Sequence, residues 1–410
     1  MRKTSSTPFV IFFLLLIVAV ILLFSYYNYL KKTYPKSIDL QKLINLSFTT
    51  PSRMPRNEAV LMLDNNPLPI TLIYNNKISE KFRVKTQSEK ILWSCSSGEL
   101  GKKTGSGSNE WYPPEDKSVS ATISVKFSGQ YYTPLGKMLF GTIPIEKELS
   151  IKAISPIPSS FIDDKGYLDG YNIGTYLNPY DEDTLKKYFH DSQHPQAHPE
   201  KYLRPKFFYK VAKENKELYV SPHFKLGDFT IDYPWFSLGM PQYVAIDSHL
   251  IQKLEELIKL MNKDGLNIKK FSVIYGFRPP AYNLGAIVQD GAEFTLKAIW
   301  SMHQYGKAID IIIDTDEDLV IDDLNKDGKI DMKDPAVIMH YVNILDKKYR
   351  EEGNLDLVGG AGLYSHHDFW QRKESPYIHI DVRGFLDPDG KLIRWPLKWE
   401  DSTIILWGKI

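Results

Sequence analysis

His303, Asp310 and His379 are residue types that bind divalent metals, and the runs around them allow the three to meet. His303 lies in Ser301-Met302-His303-Gln304-Tyr305-Gly306-Lys307-Ala308-Ile309-Asp310, which opens onto Ile311-Ile312-Ile313, a run suited to a central strand. In such a strand Ala308, Asp310 and Ile312 share one face. Gly306 permits a tight backbone turn that folds His303 back toward Asp310. A second run, Tyr377-Ile378-His379-Ile380-Asp381-Val382, turns His379 and Asp381 to one face and Ile378, Ile380 and Val382 to the other. Pairing the two strands gathers two imidazoles and one carboxylate, a set that leaves a fourth tetrahedral position for water, the pattern of a catalytic zinc centre. Zinc lowers the pKa of such a water toward ~7 and makes it a nucleophile at neutral pH. Taken singly, each of the three reads as an ordinary core or loop residue; the conjunction is what suggests a metal.

The Ser-x-His-x-x-Gly-x-Ala-x-Asp pattern is followed by Gly359-Gly360-Ala361-Gly362-Leu363-Tyr364 and then by His379-Ile380-Asp381-Val382-Arg383-Gly384. Ahead of it stand Ser221-Pro222-His223-Phe224-Lys225-Leu226-Gly227-Asp228-Phe229 and Gly276-Phe277-Arg278-Pro279-Pro280-Ala281-Tyr282-Asn283. In this order, from about Ser221 to Gly384, the chain resembles the zinc D-Ala-D-Ala carboxypeptidases and murein endopeptidases, whose fold is shared with the hedgehog signalling domain. The resemblance implies a zinc metallopeptidase that hydrolyses an amide bond in peptidoglycan stem peptides or cross-links, with His303, Asp310 and His379 as the zinc ligands. It further implies that Arg278 holds the scissile carbonyl oxygen or a substrate carboxylate through its several N–H donors. A surface salt bridge is the other reading of that arginine.

The general base stays open. Many relatives place a Glu or a second His shortly before the last ligand, and the His position is Tyr377 here. Glu374 reaches the metal-bound water if Ser375-Pro376 forms a turn, while Asp381, on the ligand's own face, serves as base or only orients a neighbour. His366 and His367 are further candidates. If none of these serves, the domain is a non-catalytic peptidoglycan-binding scaffold.

A second motif is acidic. Asp323, Asn325, Asp327, Asp331 and Asp334 supply oxygens at the spacing of an EF-hand or dockerin loop, Lys329 adds a backbone carbonyl, and Gly328 makes the turn. Asp334 closes the loop where Glu is usual. The expectation is a structural Ca2+ in an insertion spanning 323–334, with an acidic solvated loop as the alternative.

The elements that position these residues follow from patterning. Leu250, Ile251, Leu254, Leu257, Ile258 and Met261 fall at helical spacing, with Asp247 or Ser248 as cap and Gly265 past the end. Phe271 to Tyr275 reads as a strand. Helices and strands without a regular βαβ beat indicate an α+β domain over 221–395. Upstream, Val119, Ala121, Ile123, Val125 and Phe127 alternate with polar residues, and Ile70 to Tyr74 and Ile91 to Trp93 add strands, so 59–155 is expected to be an all-β, immunoglobulin-like sandwich. Gly98 to Ser108 reads as a solvated hairpin loop, since no helix follows to make it a phosphate loop. Residues 33–58 read as a linker and 156–220 as a connecting segment, where His190, His194 and His198 sit among prolines that oppose a helix.

At the N-terminus, Phe9 to Leu30 is apolar and rich in tyrosine at its end. At ~1.5 Å per residue it is long enough for a hydrocarbon core of about 30 Å, so residues 1–32 are expected to form an uncleaved transmembrane signal anchor. With an enzyme of this type behind it, the expectation is a single-pass protein of the bacterial inner membrane with its catalytic domain in the periplasm or extracytoplasmic space. The 410 residues suit two or more domains, and 51 basic against 50 acidic residues leave a net charge of +1, too little for nucleic-acid binding by counterion release. A single cysteine, Cys95, excludes an intramolecular disulfide and a cysteine-ligated zinc site. Oligomeric state leaves no trace in the sequence.

Overall fold

The computed structural model describes residues 7–33, 44–48, 59–62, 66, 68–74, 83–105, 107–114, 119–132, 138, 141, 143–187, 193–231, 241–283, 299–365 and 375–395. The chain divides into two compact units: Met1–Thr49, Pro67–Tyr112 and Thr122–Ile151 form one, and Thr50–Asn66, Pro113–Ala121 and Lys152–Ile410 the other.

The first unit begins with helix α1 (Thr7–Thr33). Among the described residues no helix is long and apolar enough to cross a membrane, which corrects the expected transmembrane helix.

Alternating apolar residues then build strands β1 (Ile44–Phe48), β2 (Ala59–Leu61), β3 (Leu68–Tyr74), β4 (Arg83–Cys95), β5 (Glu99–Leu100), β6 (Ser108–Tyr112), β7 (Ser120–Tyr132) and β8 (Ile143–Ile154). In β7 the period of two buries Ala121, Ile123, Val125 and Phe127. One sheet has the order β1-β3-β6-β5, and β4, β7 and β8 are neighbours in another. Strand β2 belongs to the second unit, where it pairs in parallel with Lys152–Ile154, the part of β8 in that same unit. The fold is therefore corrected as well: a mixed α/β chain with several small sheets replaces the expected immunoglobulin-like sandwich ahead of an α+β peptidase domain. Alternation fixes which residues form strands and leaves open which strands pair, so this outcome was not written in the pattern.

The second unit contains β9 (Ile157–Pro158), β10 (Tyr167–Leu168), β11 (Tyr171–Asn172), α2 (Glu182–Lys187), α3 (Gln193–Ala197), β12 (Phe207–Val211), β13 (Gln242–Val244), α4 (Ser248–Lys263), β14 (Ser272–Tyr275), β15 (Ala308–Ile312), α5 (Lys333–Glu351), β16 (Ala361–Tyr364), β17 (Tyr377–Asp381) and β18 (Arg394–Trp395). Residues 156–220 lend Ile157, Leu168, Tyr171, Ile173 and Phe208 to its core, so they are built into this unit. Helix α4 starts where the Asp247 carboxylate accepts the His249 N–H at 2.9 Å, and the backbone turns away at Gly265, φ +89°. It buries the same six apolar residues whose spacing forecast it, each contributing roughly 1.5–3 kcal/mol.

Five strands in the order β14-β15-β17-β16-β18 form the sheet that carries the site. The register places Tyr275 beside Asp310, Asp310 beside His379, His379 beside Gly362, and Gly362 beside Trp395, one row across all five strands. The alternate residues Ile309, Ile311, Ile378 and Ile380 are fully buried on the opposite face, in the core shared with α4 and α5.

Candidate metal centre

Strand pairing alone brings Asp310 and His379 side by side, and His303 arrives from a short 3-10 turn, Met302–Tyr305. The turn ends on Gly306, φ +68°, where any Cβ would collide with the Ala245 carbonyl oxygen. That left-handed corner, closed by the Asp247 N–H donating to the Gly306 carbonyl at 2.9 Å, returns the chain to β15 and points His303 at the sheet.

His303 Nε2 lies 3.2 Å from Asp310 Oδ1 and 3.1 Å from His379 Nδ1, and His379 Nδ1 lies 2.7 Å from Asp310 Oδ1. The outer ring nitrogens fix what the inner ones carry. His303 Nδ1 donates to the Gly276 carbonyl at 2.7 Å, and His379 Nε2 donates to Asp381 Oδ2 at 3.3 Å. Two imidazole lone pairs and a carboxylate oxygen thus converge on one point, an arrangement that a cation relieves. Ligands at ~2.0 Å from a tetrahedral ion stand about 3.3 Å apart, so the three groups fit a divalent metal such as zinc with little movement. The His303/Asp310/His379 cluster, all buried, can hold a metal ion.

Electrostatics set the two histidines apart. Burial, together with the nearby Arg278 charge, pushes the His303 pKa down to about 4 and keeps its imidazole neutral. Burial alone would raise the Asp310 pKa, but the two histidines outweigh it and hold the carboxyl well below its usual range. For His379, burial opposes the charge, while hydrogen bonds to Asp310 and Asp381 outweigh it and raise the pKa.

Against known proteins, the chain matches no family model, no curated protein and no solved structure. The reading of the site therefore rests on its own residues.

Asp381, weighed in sequence as a base, sits behind His379. Its Oδ1 accepts the Gly360 N–H at 2.6 Å and Arg383 Nε at 3.0 Å, and its Oδ2 takes Arg383 Nη2 as well as His379. Fully enclosed and held below the usual carboxylate range by Arg383 and His379 despite its burial, it has no lone pair left for a proton in transit. Its geometry suits fixing the tautomer and tilt of His379. Asp381→Asn should weaken metal binding about 10- to 100-fold, which competition against a chromogenic chelator measures; unchanged affinity would refute the orienting role.

Arg278 reaches the same neighbourhood from the segment after β14. Its backbone N–H donates to the His303 carbonyl at 3.2 Å, its Nη2 donates to Ser301 Oγ at 3.1 Å, and its guanidinium lies 5.4 Å from the Tyr275 ring centre. The side chain is buried, forms no salt bridge among the described residues, and its Nε has no partner there. A surface ion pair is thereby replaced by a buried cation with a donor to spare.

Glu374, His366 and His367 lie outside the described residues, as does His190. His198 stacks on Phe385 at 4.1 Å. In the expected calcium loop the side chains hydrogen-bond to the loop's own backbone. Asp323 accepts the N–H groups of Asp327 (3.2 Å) and Gly328 (2.8 Å), and Asp334 those of Leu324 (2.9 Å) and Asp331 (2.9 Å). The Asn325 amide donates to Asp327, the Lys329 N–H donates to Asp327 at 3.0 Å, and the Lys333 ammonium lies 2.8 Å from Asp327 and 3.8 Å from Asp331. These carboxylates do not gather into one ligand group; the acidic residues that do are Asp314, Asp316 and Asp322, just upstream.

Sequence patterning passed over the groups that brace the centre. Arg383 was visible as the basic residue two positions past Asp381, on the same face by strand alternation. Trp395, whose ring centre is 5.2 Å from His379, joins the row only through the parallel pairing of β18 with β16.

Proposed function

We propose that the second unit is a zinc-dependent hydrolase that cuts an amide bond in peptidoglycan stem peptides or cross-links, which places its work outside the cytoplasm. The observation that carries the metal-hydrolase reading is the convergence of His303 Nε2, Asp310 Oδ1 and His379 Nδ1, each within 3.2 Å of the others, with outer nitrogens already committed to Gly276 and Asp381. The murein substrate rests on the resemblance of the motifs from Ser221 to Gly384.

A zinc ion bound by these residues supplies Lewis acidity toward a carbonyl and a water acidic enough to act as a nucleophile at neutral pH. The chain's own part is positioning. His303 is held as a neutral ligand by its burial and its bond to Gly276, and His379 is oriented by Asp381 and ligates once its Nδ1 proton is displaced. Arg278, buried and with a free donor, binds an oxygen of the substrate, either the scissile carbonyl or a terminal carboxylate, and strengthens that bond as charge develops. The Trp395 ring packs beside His379, with 5.2 Å between ring centres.

Digestion of purified murein with and without chelator, followed by chromatography of the fragments, tests this reading. New amine ends that disappear with chelator and in His303→Ala are the expected result. Unchanged fragments with murein still bound would identify a scaffold that grips the wall without cutting it.

A further inference from the structure

On the ligand face of the sheet, one step along the strands from the metal row, Tyr364 and Tyr377 stand opposite each other in register. Their rings stack at 4.8 Å, with 8° between planes. Trp395, at the end of the metal row, donates its Nε1–H to the Tyr364 hydroxyl oxygen at 2.8 Å. Among the described residues that hydroxyl's own hydrogen has no acceptor. A phenol whose oxygen is pinned by an indole N–H and whose ring is clamped on another ring has its O–H left to give.

The direction in which it can give is limited. Tyr364 shares its face with Gly362, which lies beside His379, and it interacts electrostatically with Asp310, Arg278 and Arg383, the groups that surround the centre. Burial and the Asp310 charge hold the phenol above its ordinary pKa, so it is a protonated donor at neutral pH. Ring stacking and the indole bond together fix its position before any ligand arrives, the preorganisation that makes a donor effective toward developing charge.

We infer that Tyr364 is a catalytic residue whose hydroxyl donates a hydrogen bond to the carbonyl oxygen of the scissile amide as that oxygen gains negative charge, with Trp395 as the positioning residue that holds the phenol. The inference rests on the hydrolase reading above. It gives the oxyanion a neutral donor on the β16 side of the sheet, while Arg278 approaches from the β14 side.

The test uses the zinc-loaded full chain, cross-linked muropeptides as substrate, and a phosphinate dipeptide as a tetrahedral probe. Tyr364→Phe is expected to lower kcat about 10²- to 10³-fold and leave KM within about twofold. By calorimetry it is expected to bind the phosphinate at least tenfold more weakly, while zinc uptake and melting temperature stay those of the wild type. Trp395→Phe should lower kcat by less, and adding it to Tyr364→Phe should bring no further loss. A Tyr364→Phe protein that turns over at the wild-type rate, or binds the phosphinate equally well, overturns the inference and leaves the hydrolase reading standing. A zinc-loaded wild type that cuts no murein bond sinks both.

Discussion

Asp346→Ala is expected to destabilise the second unit by about 3–5 kcal/mol, because it strands two buried cations. Asp346 of α5 is completely enclosed. Its Oδ1 lies 2.7 Å from the Lys253 ammonium of α4, and its Oδ2 lies 2.6 Å from Arg394 Nη2 of β18. Lys253 is itself fully buried, and burial lowers its pKa even against the attraction of Asp346. Removing the single anion leaves both charges without a counterion in a medium that solvates neither. The consequence reaches the metal centre, because Lys253 also donates to the Asp381 carbonyl at 3.0 Å and Arg394 to the Gly359 carbonyl at 2.9 Å. These bonds hold the backbone from which Asp381 braces His379. Urea titration should show the loss of stability, and the same variant should bind zinc more weakly. Lys253→Met and Arg394→Met combined with Asp346→Leu should recover much of the stability, since replacing a buried ionic group outright is far milder than removing only its anion. An Asp346→Ala midpoint equal to that of the wild type would contradict the network.

Removing the metal should have an effect of comparable size. A ligand that binds only the folded state stabilises it by about 4 kcal/mol when its free concentration is a thousand times its Kd. Chelated protein is therefore expected to melt well below zinc-loaded protein, and His303→Ala should show no zinc-dependent shift. The pH dependence has a definite sign. Metal binding needs an unprotonated Nδ1 on His379, and the raised pKa of that imidazole means that a proton competes for the same lone pair. Zinc affinity should therefore weaken as pH falls through that raised value. A melting temperature indifferent to both zinc and pH would count against the site.

The centre itself was largely legible, and the reason is local. Gly306 dictates the corner that returns His303 toward Asp310, and strand alternation dictates that His379 and Asp381 share a face. Helix α4 was equally plain, with its cap, stripe and closing glycine all written in sequence. What escaped depends on contacts between distant segments. Lys253 falls between Leu250 and Leu254 on the apolar stripe, and only the arrival of Asp346, 93 positions later, makes a cation tolerable there. The early strands show the same limit, since the parallel pairing of β2 with the end of β8 left no mark in the alternation. At Asp323–Asp334 the spacing fits an ion-binding loop, and the side chains cap their own backbone, which Asp and Asn at this spacing do with or without an ion.

Metal-free protein titrated with Zn2+ in a calorimeter bears most directly on the centre. One ion bound per chain, with uptake lost in His303→Ala and in His379→Ala at unchanged secondary structure, is the predicted result. A wild-type protein that takes up no zinc would contradict it, and the three converging groups would then be a buried hydrogen-bond cluster with no part in hydrolysis.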